Sequence, residues 1–515
     1  VGSGFGEELR YATGSSITID GGSVSVAASI RPDNSGSSTT TYTQSGGTLT
    51  LATSGTTSGS TAVFDLGETG CSFTMSGGTI IIRRSSLIFG TDYLNLAATH
   101  NVTGGTLQIG DASTPSSQTI DINSTAPVFN LTVNTNNSPV ARLLSNALTV
   151  KNDVTISGGT LNANNLNMSV GGNWTNNSTF TPGTGTVTFN GTAQQTLGGS
   201  VSTTFNGLTV NNSGSGLLLA INEKVSGTLT MTAGNIDSDT YTFELGTSTA
   251  SVGTLSWTSG NIIGNFKRWI NAVSPTTWLF PVGTATENQK ALVTFTNLTN
   301  GSLTAKFDAG DLGSNTGFPL TENALTIPAS GQYTEGSWSM IPGNSLASTN
   351  FAIELTGNGF SSAGSQDAAV RILKRPDAGG DWVLNGSHVA ASGATAKRSG
   401  VNGFSRFALA KPSSCTPPTI TAPSITQPTC AVQSGTIVVN ASGSGTLEYS
   451  IDGGSTYQTS SSFSGLTPGN YNISVRLQAS PSCVASYASN PVTVNALPVI
   501  PTAFTVSGGG TYCTG

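Results

Sequence analysis

Cleaving a glycosidic bond takes two carboxyl groups held about 5–9.5 Å apart. Three pairs of acids in this chain are close enough in sequence to be weighed for chemistry, the first of them for that role. Asp237 and Asp239 stand at i, i+2, a spacing that places both on one face of a strand. Asp308 and Asp311 flank Ala309-Gly310, and Asp377 and Asp381 flank Gly379-Gly380. The last two pairs are weighed instead for a hard cation such as calcium, but neither has the alternating oxygen ligands of a dedicated loop. All three read more simply as solvated acids at turns. His100 and His388 are the only histidines and fall in different proposed domains, which argues against a Ser-His-Asp arrangement. Arg83-Arg84 and Lys397-Arg398 fit a soluble surface better than a lyase site. The Gly-rich stretches lack the Gly-Lys-Ser/Thr of a phosphate loop. Cys71, Cys415, Cys430, Cys483 and Cys513 form no C-x-x-C pair, so zinc and thiol redox motifs are unsupported. No catalytic, cofactor-binding or metal-ligating residue is assigned, and the chain reads as a non-enzyme.

The elements that must position any site are legible in a recurring phrase. It runs Ser45-Gly46-Gly47-Thr48-Leu49-Thr50-Leu51 and returns as Ser76-Gly77-Gly78-Thr79-Ile80-Ile81-Ile82. Thr103-Gly104-Gly105-Thr106-Leu107 and Ser157-Gly158-Gly159-Thr160-Leu161 follow. Each copy is a turn feeding a short strand. The interval from Gly104 to Gly158 is twice that from Gly77 to Gly104, and Gly234 and Gly260 are spaced much like the latter pair. A second phrase, Phe129-Asn130-Leu131-Thr132-Val133, returns in a close variant at Phe205. Recurrence at a period of roughly 20–50 residues, without helix, predicts a parallel β-helix over residues 1–265. Its stacked coils would bury Leu, Ile, Val and Phe, with Trp174 and Trp257 as the aromatic residues that could line a groove.

Proline use changes after that region: 5 of the 21 fall in 1–265, 6 in 266–410 and 10 in 411–501. Alternating strands are expected at 290–295, 303–307, 351–355, 369–373, 382–384 and 404–410. They predict an antiparallel β-sandwich over 266–411, with Trp269, Trp278, Trp338 and Trp382 in its core. Residues 412–424 read as a stiff Pro-rich linker. A compact immunoglobulin-like module follows at 425–497, bracketed by Cys430 and Cys483, which are the expected disulfide. Residues 498–515 read as the start of a further module.

Charged residues make up 9% of the chain, and the net charge is −6. Residues 1–265 carry 14 acids and 7 bases, residues 266–515 carry 11 and 12. Neither half has a basic stripe, which disfavours nucleic acid as a partner. No apolar run approaches the ~18–20 residues of a membrane span. No signal-peptide pattern opens the chain at Val1, so it is read as a mature or trimmed form.

One stretch resembles a known family. Glu448-Tyr449-Ser450-Ile451-Asp452-Gly453-Gly454-Ser455-Thr456-Tyr457-Gln458, with Phe463 through Leu466 to Gly469-Asn470-Tyr471, is similar to the repeat of large gliding-motility surface adhesins of the Bacteroidetes. The Asp-x-x-Gly-Cys usual before the final Cys is replaced by Ala479-Ser480-Pro481-Ser482. Gly171-Gly172-Asn173-Trp174-Thr175 resembles the solenoid coils of the same secreted proteins. So does the sandwich segment from Gly264 through Phe280-Pro281-Val282-Gly283 to Phe407. The resemblance implies export by the type IX route, which calls for a C-terminal sorting domain not visible in this sequence. The function expected is an extracellular, cell-surface stalk or fibre that adheres to hydrated surfaces or polysaccharide. Homotypic assembly into a filament, a passive spacer and a carbohydrate-active enzyme on the β-helix are the rivals.

Overall fold

The structure, a computed structural model, describes residues 7–34, 37–54, 62–86, 90–134, 137–272, 276–310, 316–323, 325–377, 379–413 and 416–497. It is all-β, 54% strand and 1% helix, and opens with a parallel β-solenoid of about 11 turns. Three short strands make a turn. Asn130–Val133, Val140–Leu143 and Leu148–Val150 are followed by Val154–Ile156, Thr160–Asn162 and Met168–Val170. Each strand pairs in parallel with its counterpart one turn away. At ~4.8 Å per turn, 11 turns make a column about 50 Å long.

Registry explains why these residues suit the fold. Leu49, Ile80, Leu107, Leu131, Val154, Trp174, Leu197 and Leu219 stand directly above one another. None is more than 2% exposed. No single turn could bury such a residue alone; the neighbouring turns supply its contacts. Asparagine fastens the turns from outside. The side-chain carbonyls of Asn165, Asn173 and Asn177 accept backbone N–H bonds from Thr184, Thr196 and Ser200 one turn on, at 2.8–2.9 Å. Glycine is dictated at the corners by crowding. Gly78 has φ +75°, and a Cβ there would collide with the Gly46 carbonyl oxygen. Only glycine meets both demands.

The repeating phrases mark corners, but not always the same corner. The copies beginning at Ser45, Ser76 and Thr103 do stack, through Thr48, Thr79 and Thr106. The copy at Ser157 feeds Thr160–Asn162, which lies on a different face with Val140–Leu143 and Thr179–Thr181. The wide interval from Gly104 to Gly158 is therefore not two whole turns. The two Phe-Asn phrases also fall on different faces: Asn130–Val133 pairs with Val154–Ile156, whereas residues 207–210 pair with Thr186–Phe189. A turn has three corners, all of which want a small residue followed by an alternating strand. Sequence repetition alone does not distinguish them.

The solenoid does not end at a break. Ile262–Ile270 pairs in parallel with Ile236–Leu245 and antiparallel with Gly301–Ala309. That antiparallel sheet continues through Gly336–Gly343 to Arg406–Ala410. A second antiparallel sheet has the order Thr277–Phe280, Ala291–Phe295, Phe351–Thr356, Thr395–Val401, Ser387–Val389. Trp278, Trp338 and Trp382 are fully buried. Trp269 is not in the core. It faces outward, donates Nε1–H to Glu244 Oε1 at 2.5 Å and lies under Lys267 Nζ at 4.8 Å. Its place on the strand explains this, since Phe266, Arg268 and Ile270 take the inward positions. The expected strand at 382–384 is reduced to one bridge, Lys374 to Val383.

Arg268 is the unusual member of that inward set. It is 5% exposed, donates to the Leu279 carbonyl at 2.8 Å and stacks on Trp278 at 4.9 Å. Burial pushes its guanidinium down to about 10. Desolvating an ion can cost more than its contacts return, and an apolar side chain of similar volume is often tolerated. Arg268→Met is therefore expected to change stability by no more than about 1 kcal/mol, in either direction. A fall beyond ~2 kcal/mol in urea denaturation would show that the carbonyl and ring contacts outweigh desolvation.

The chain divides into two compact units, Val1–Ser314 with Tyr333–Leu409, and Asn315–Gln332 with Ala410–Gly515. The expected span 266–411 is thus not one piece: the hairpin of Leu320–Glu322 and Leu325–Ile327 belongs to the second unit. That unit also holds small antiparallel sheets of three, three and two strands, packed around Ile437, Val439, Ile473, Val475, Val492 and Val494. Part of the stretch 412–424 is not a free linker. Thr419–Thr426 is a strand paired with Gly435–Ser442, and the ladder skips between Thr421 and Ser424. Pro423 lies in that skip, where the N–H it lacks is not needed. The expected module at 498–515 lies outside the described residues.

Candidate functional site

The acids singled out in the sequence are engaged separately. Asp237 Oδ1 accepts the N–H of Asp239 at 3.0 Å. Asp239 adopts φ +47°, and the ladder to the next turn skips between Asp237 and Thr242. Asp308 pairs with Lys306 and Arg406, both at 2.9 Å. Asp377 accepts from Arg406 Nε at 3.0 Å and from Ser339 Oγ at 2.7 Å. One arginine thus joins two acids from different candidate pairs. Asp381 is exposed, and Asp311 lies outside the described residues. Among the described residues no group of three or more His, Cys, Asp or Glu converges.

The remaining candidates are also accounted for. His100 Nδ1 lies 3.2 Å from the Ala97 carbonyl. His388 pairs with Arg398 in the second sheet of the first unit. Arg83 forms a forked ion pair with Asp111. Arg398 is buried and donates to the Asn385 and Gly386 carbonyls at 2.7 and 2.8 Å. Cys430 and Cys483 are both disulfide-bonded, and Cys71 is free and buried. Cys415 and Cys513 lie outside the described residues.

Two strongly perturbed acids belong to the solenoid itself, and perturbed acids mark candidate sites. Burial raises Asp92 to about 7, against backbone bonds from Ser86 and Asp121 and with repulsion from Asp121 adding to the rise. Its oxygens accept those two N–H groups at 2.5 and 2.8 Å. Asp121 accepts from two of the three Arg142 guanidinium nitrogens, at 2.6 and 2.8 Å. Burial raises Glu223 to about 8. It points into the solenoid, where Oε2 accepts the Thr203 N–H at 2.6 Å. Asp92 and Glu223 are 2% and 0% exposed, so neither meets a substrate. Both read as internal fastenings.

A cleft of about 320 Å³ in the first unit brings together residues that sequence reasoning did not group. It is lined by Trp257, Leu279, Lys290, Leu292, Glu354, Thr356 and Thr395. Registry builds its floor. Leu279, Leu292, Glu354 and Lys397 form one row across the outer face of the second sheet. Thr356 and Thr395 form the next row, their hydroxyls 3.3 Å apart, and the Thr356 N–H bonds to the Lys290 carbonyl. The solenoid strand Thr254–Trp257 supplies the wall. The Trp257 Nε1–H donates to the Gly260 carbonyl at 2.8 Å, which fixes the indole plane. Lys290 Nζ stands 5.7 Å from the ring centroid. Glu354 is the one acid among the described lining residues and is ion-paired with Lys397. Trp174, the other aromatic expected to line a groove, is 1% exposed and part of the solenoid core.

This arrangement can hold a small polar ligand against an indole face with hydroxyl, ammonium and carboxylate groups around it. Leu292 and Glu354 take outward positions on strands within the expected stretches 290–295 and 351–355. The pairing of these two strands, far apart in the chain, was not readable. Comparison of the chain with family models, with curated proteins and with solved structures gave no match.

Proposed function

We propose that this is an extracellular, non-catalytic surface protein whose solenoid and following sheets form a load-bearing stalk of an adhesin. The observation that carries this reading is the strand Ile262–Ile270. It closes the parallel solenoid and opens the antiparallel sheet, so load passes from one to the other through ladder hydrogen bonds rather than a flexible tether. The Thr-, Ser- and Asn-rich outer rows suit a hydrated surface. The immunoglobulin-like reading of residues 425–497 belongs to the same proposal, as does the likeness to type IX-exported Bacteroidetes adhesins. Filament formation is a second outcome, through strand edges pairing between copies. The carbohydrate-active rival needs a second carboxylate facing Glu354, and the described lining residues include none.

Labelled antibodies viewed by electron microscopy on intact cells, with an attachment assay on cells lacking the chain, test the proposal. Label outside the cell and weakened attachment are expected. Label confined inside, or undiminished attachment, overturns it. Regular fibres, as against isolated tethers, would establish the filament form.

A further inference from the structure

We infer that the Trp257 cleft is a binding site for a single acidic sugar, a carboxylated pyranose of the uronic-acid class, within a polysaccharide. The inference deepens the adhesive reading and rests on it for its biological sense. Its chemistry stands on the cleft. A pocket of about 320 Å³ is at the small end of ligand sites, which begin near ~300 Å³, and so suits one sugar residue. An indole fixed by its own N–H bond offers a flat apolar platform, which the C–H face of a pyranose can cover. Leu279 and Leu292 extend that apolar floor. The Thr356 and Thr395 hydroxyls lie beside it as donors and acceptors for ring hydroxyls.

Charge decides the class of sugar. Glu354 is neutralised by Lys397 within its own row. Lys290 has only the Trp257 ring opposite its ammonium, with no carboxylate among the described residues in salt-bridge range. The cleft therefore presents one unmatched positive charge on a chain of net charge −6. A neutral sugar leaves that charge unused, whereas a carboxylate on the bound ring gives it an ion-paired hydrogen bond. A lysine stem is flexible enough to swing off the indole and meet the carboxylate, which frees the ring face for stacking.

The test titrates the intact chain by calorimetry with oligogalacturonate, and separately with a neutral oligosaccharide of equal length. Oligogalacturonate should bind more tightly and weaken as sodium chloride is raised. Lys290→Met should lower its affinity about tenfold, one charge-assisted bond, and lower that of the neutral oligosaccharide markedly less. Trp257→Ala should abolish binding of both. Trp257→Phe, which keeps a ring and so guards against misfolding, should retain part of it. Equal binding of the two probes, or an unchanged Lys290→Met, overturns the charge assignment. Binding of neither overturns the site. In both cases the attachment assay still decides the adhesive reading independently.

Discussion

Trp174→Ala is expected to lower stability by about 3–5 kcal/mol, the range for deleting a buried tryptophan side chain. The indole sits inside the solenoid with Phe180, Phe205 and Phe189 at ring-centroid distances of 4.8, 5.5 and 6.3 Å. Its Nε1–H donates to Thr203 Oγ1 at 3.1 Å, and Thr203 in turn holds Glu223. Removing it opens a cavity among aromatic rings and takes one donor from a buried polar chain. The damage should also be local. Stacked turns contact only their neighbours, so stability is close to a sum of turn and interface terms. Hydrogen exchange should therefore accelerate first in Val154–Ile156 and Gln195–Gly199, the strands that flank Trp174 in the ladder. Protection around Leu49 should change least. Trp174→Phe, which keeps a ring but loses the donor, is expected to cost about 1–2 kcal/mol. A cost below ~1 kcal/mol for the alanine variant would mean that the turns repack around the gap.

The same residue shows what the sequence could and could not tell. Trp174 follows Gly171-Gly172-Asn173, a corner signal, so its place at the start of a strand was readable. Its inward direction depends on which residue opens the strand, and a one-residue shift reverses every side chain. That is why Trp174 and Trp257, both offered as groove residues, separated: one is core, the other lines a cleft. The solenoid was legible because alternation is local. Its turn length was not, because the interval along one column is far from constant. Leu49 to Ile80 is about half as long again as Val154 to Trp174. The cleft was illegible for a related reason. Lys290, Glu354 and Thr395 are brought together by cross-strand registry, which single-strand patterns do not encode. The missed strand Gly336–Gly343 alternates only over Ser337-Trp338-Ser339-Met340 before Ile341-Pro342 breaks the pattern, and its first five residues are all buried.

Stability should fall as pH rises from about 5 to 8, and Glu223 should be a main cause. In the unfolded chain its carboxyl titrates near 4.5; in the fold, burial raises it to about 8. Between those values the folded state holds a proton that the unfolded state has released. Stability then decreases with pH, by the linkage relation. The contribution is fully present below about pH 4.5 and is lost as pH passes through 8. At 1.36 kcal/mol per unit, the full interval amounts to roughly 5 kcal/mol. Asp92, raised to about 7 for the same first reason, adds to the fall in the same direction. Glu8 and Glu335 are lowered instead, so their stabilisation is lost only in acid and does not mask the trend. Glu223→Gln retains an oxygen to accept the Thr203 N–H while removing the titration. Its stability at pH 5 relative to the parent depends on how its amide packs, and that offset is not the test. The slope is: between pH 5 and 8 the variant's denaturation midpoint should fall distinctly less than the parent's. Parallel curves would show that the carboxyl stays ionised inside the solenoid. Its charge would then have to be balanced by donors beyond the Thr203 N–H.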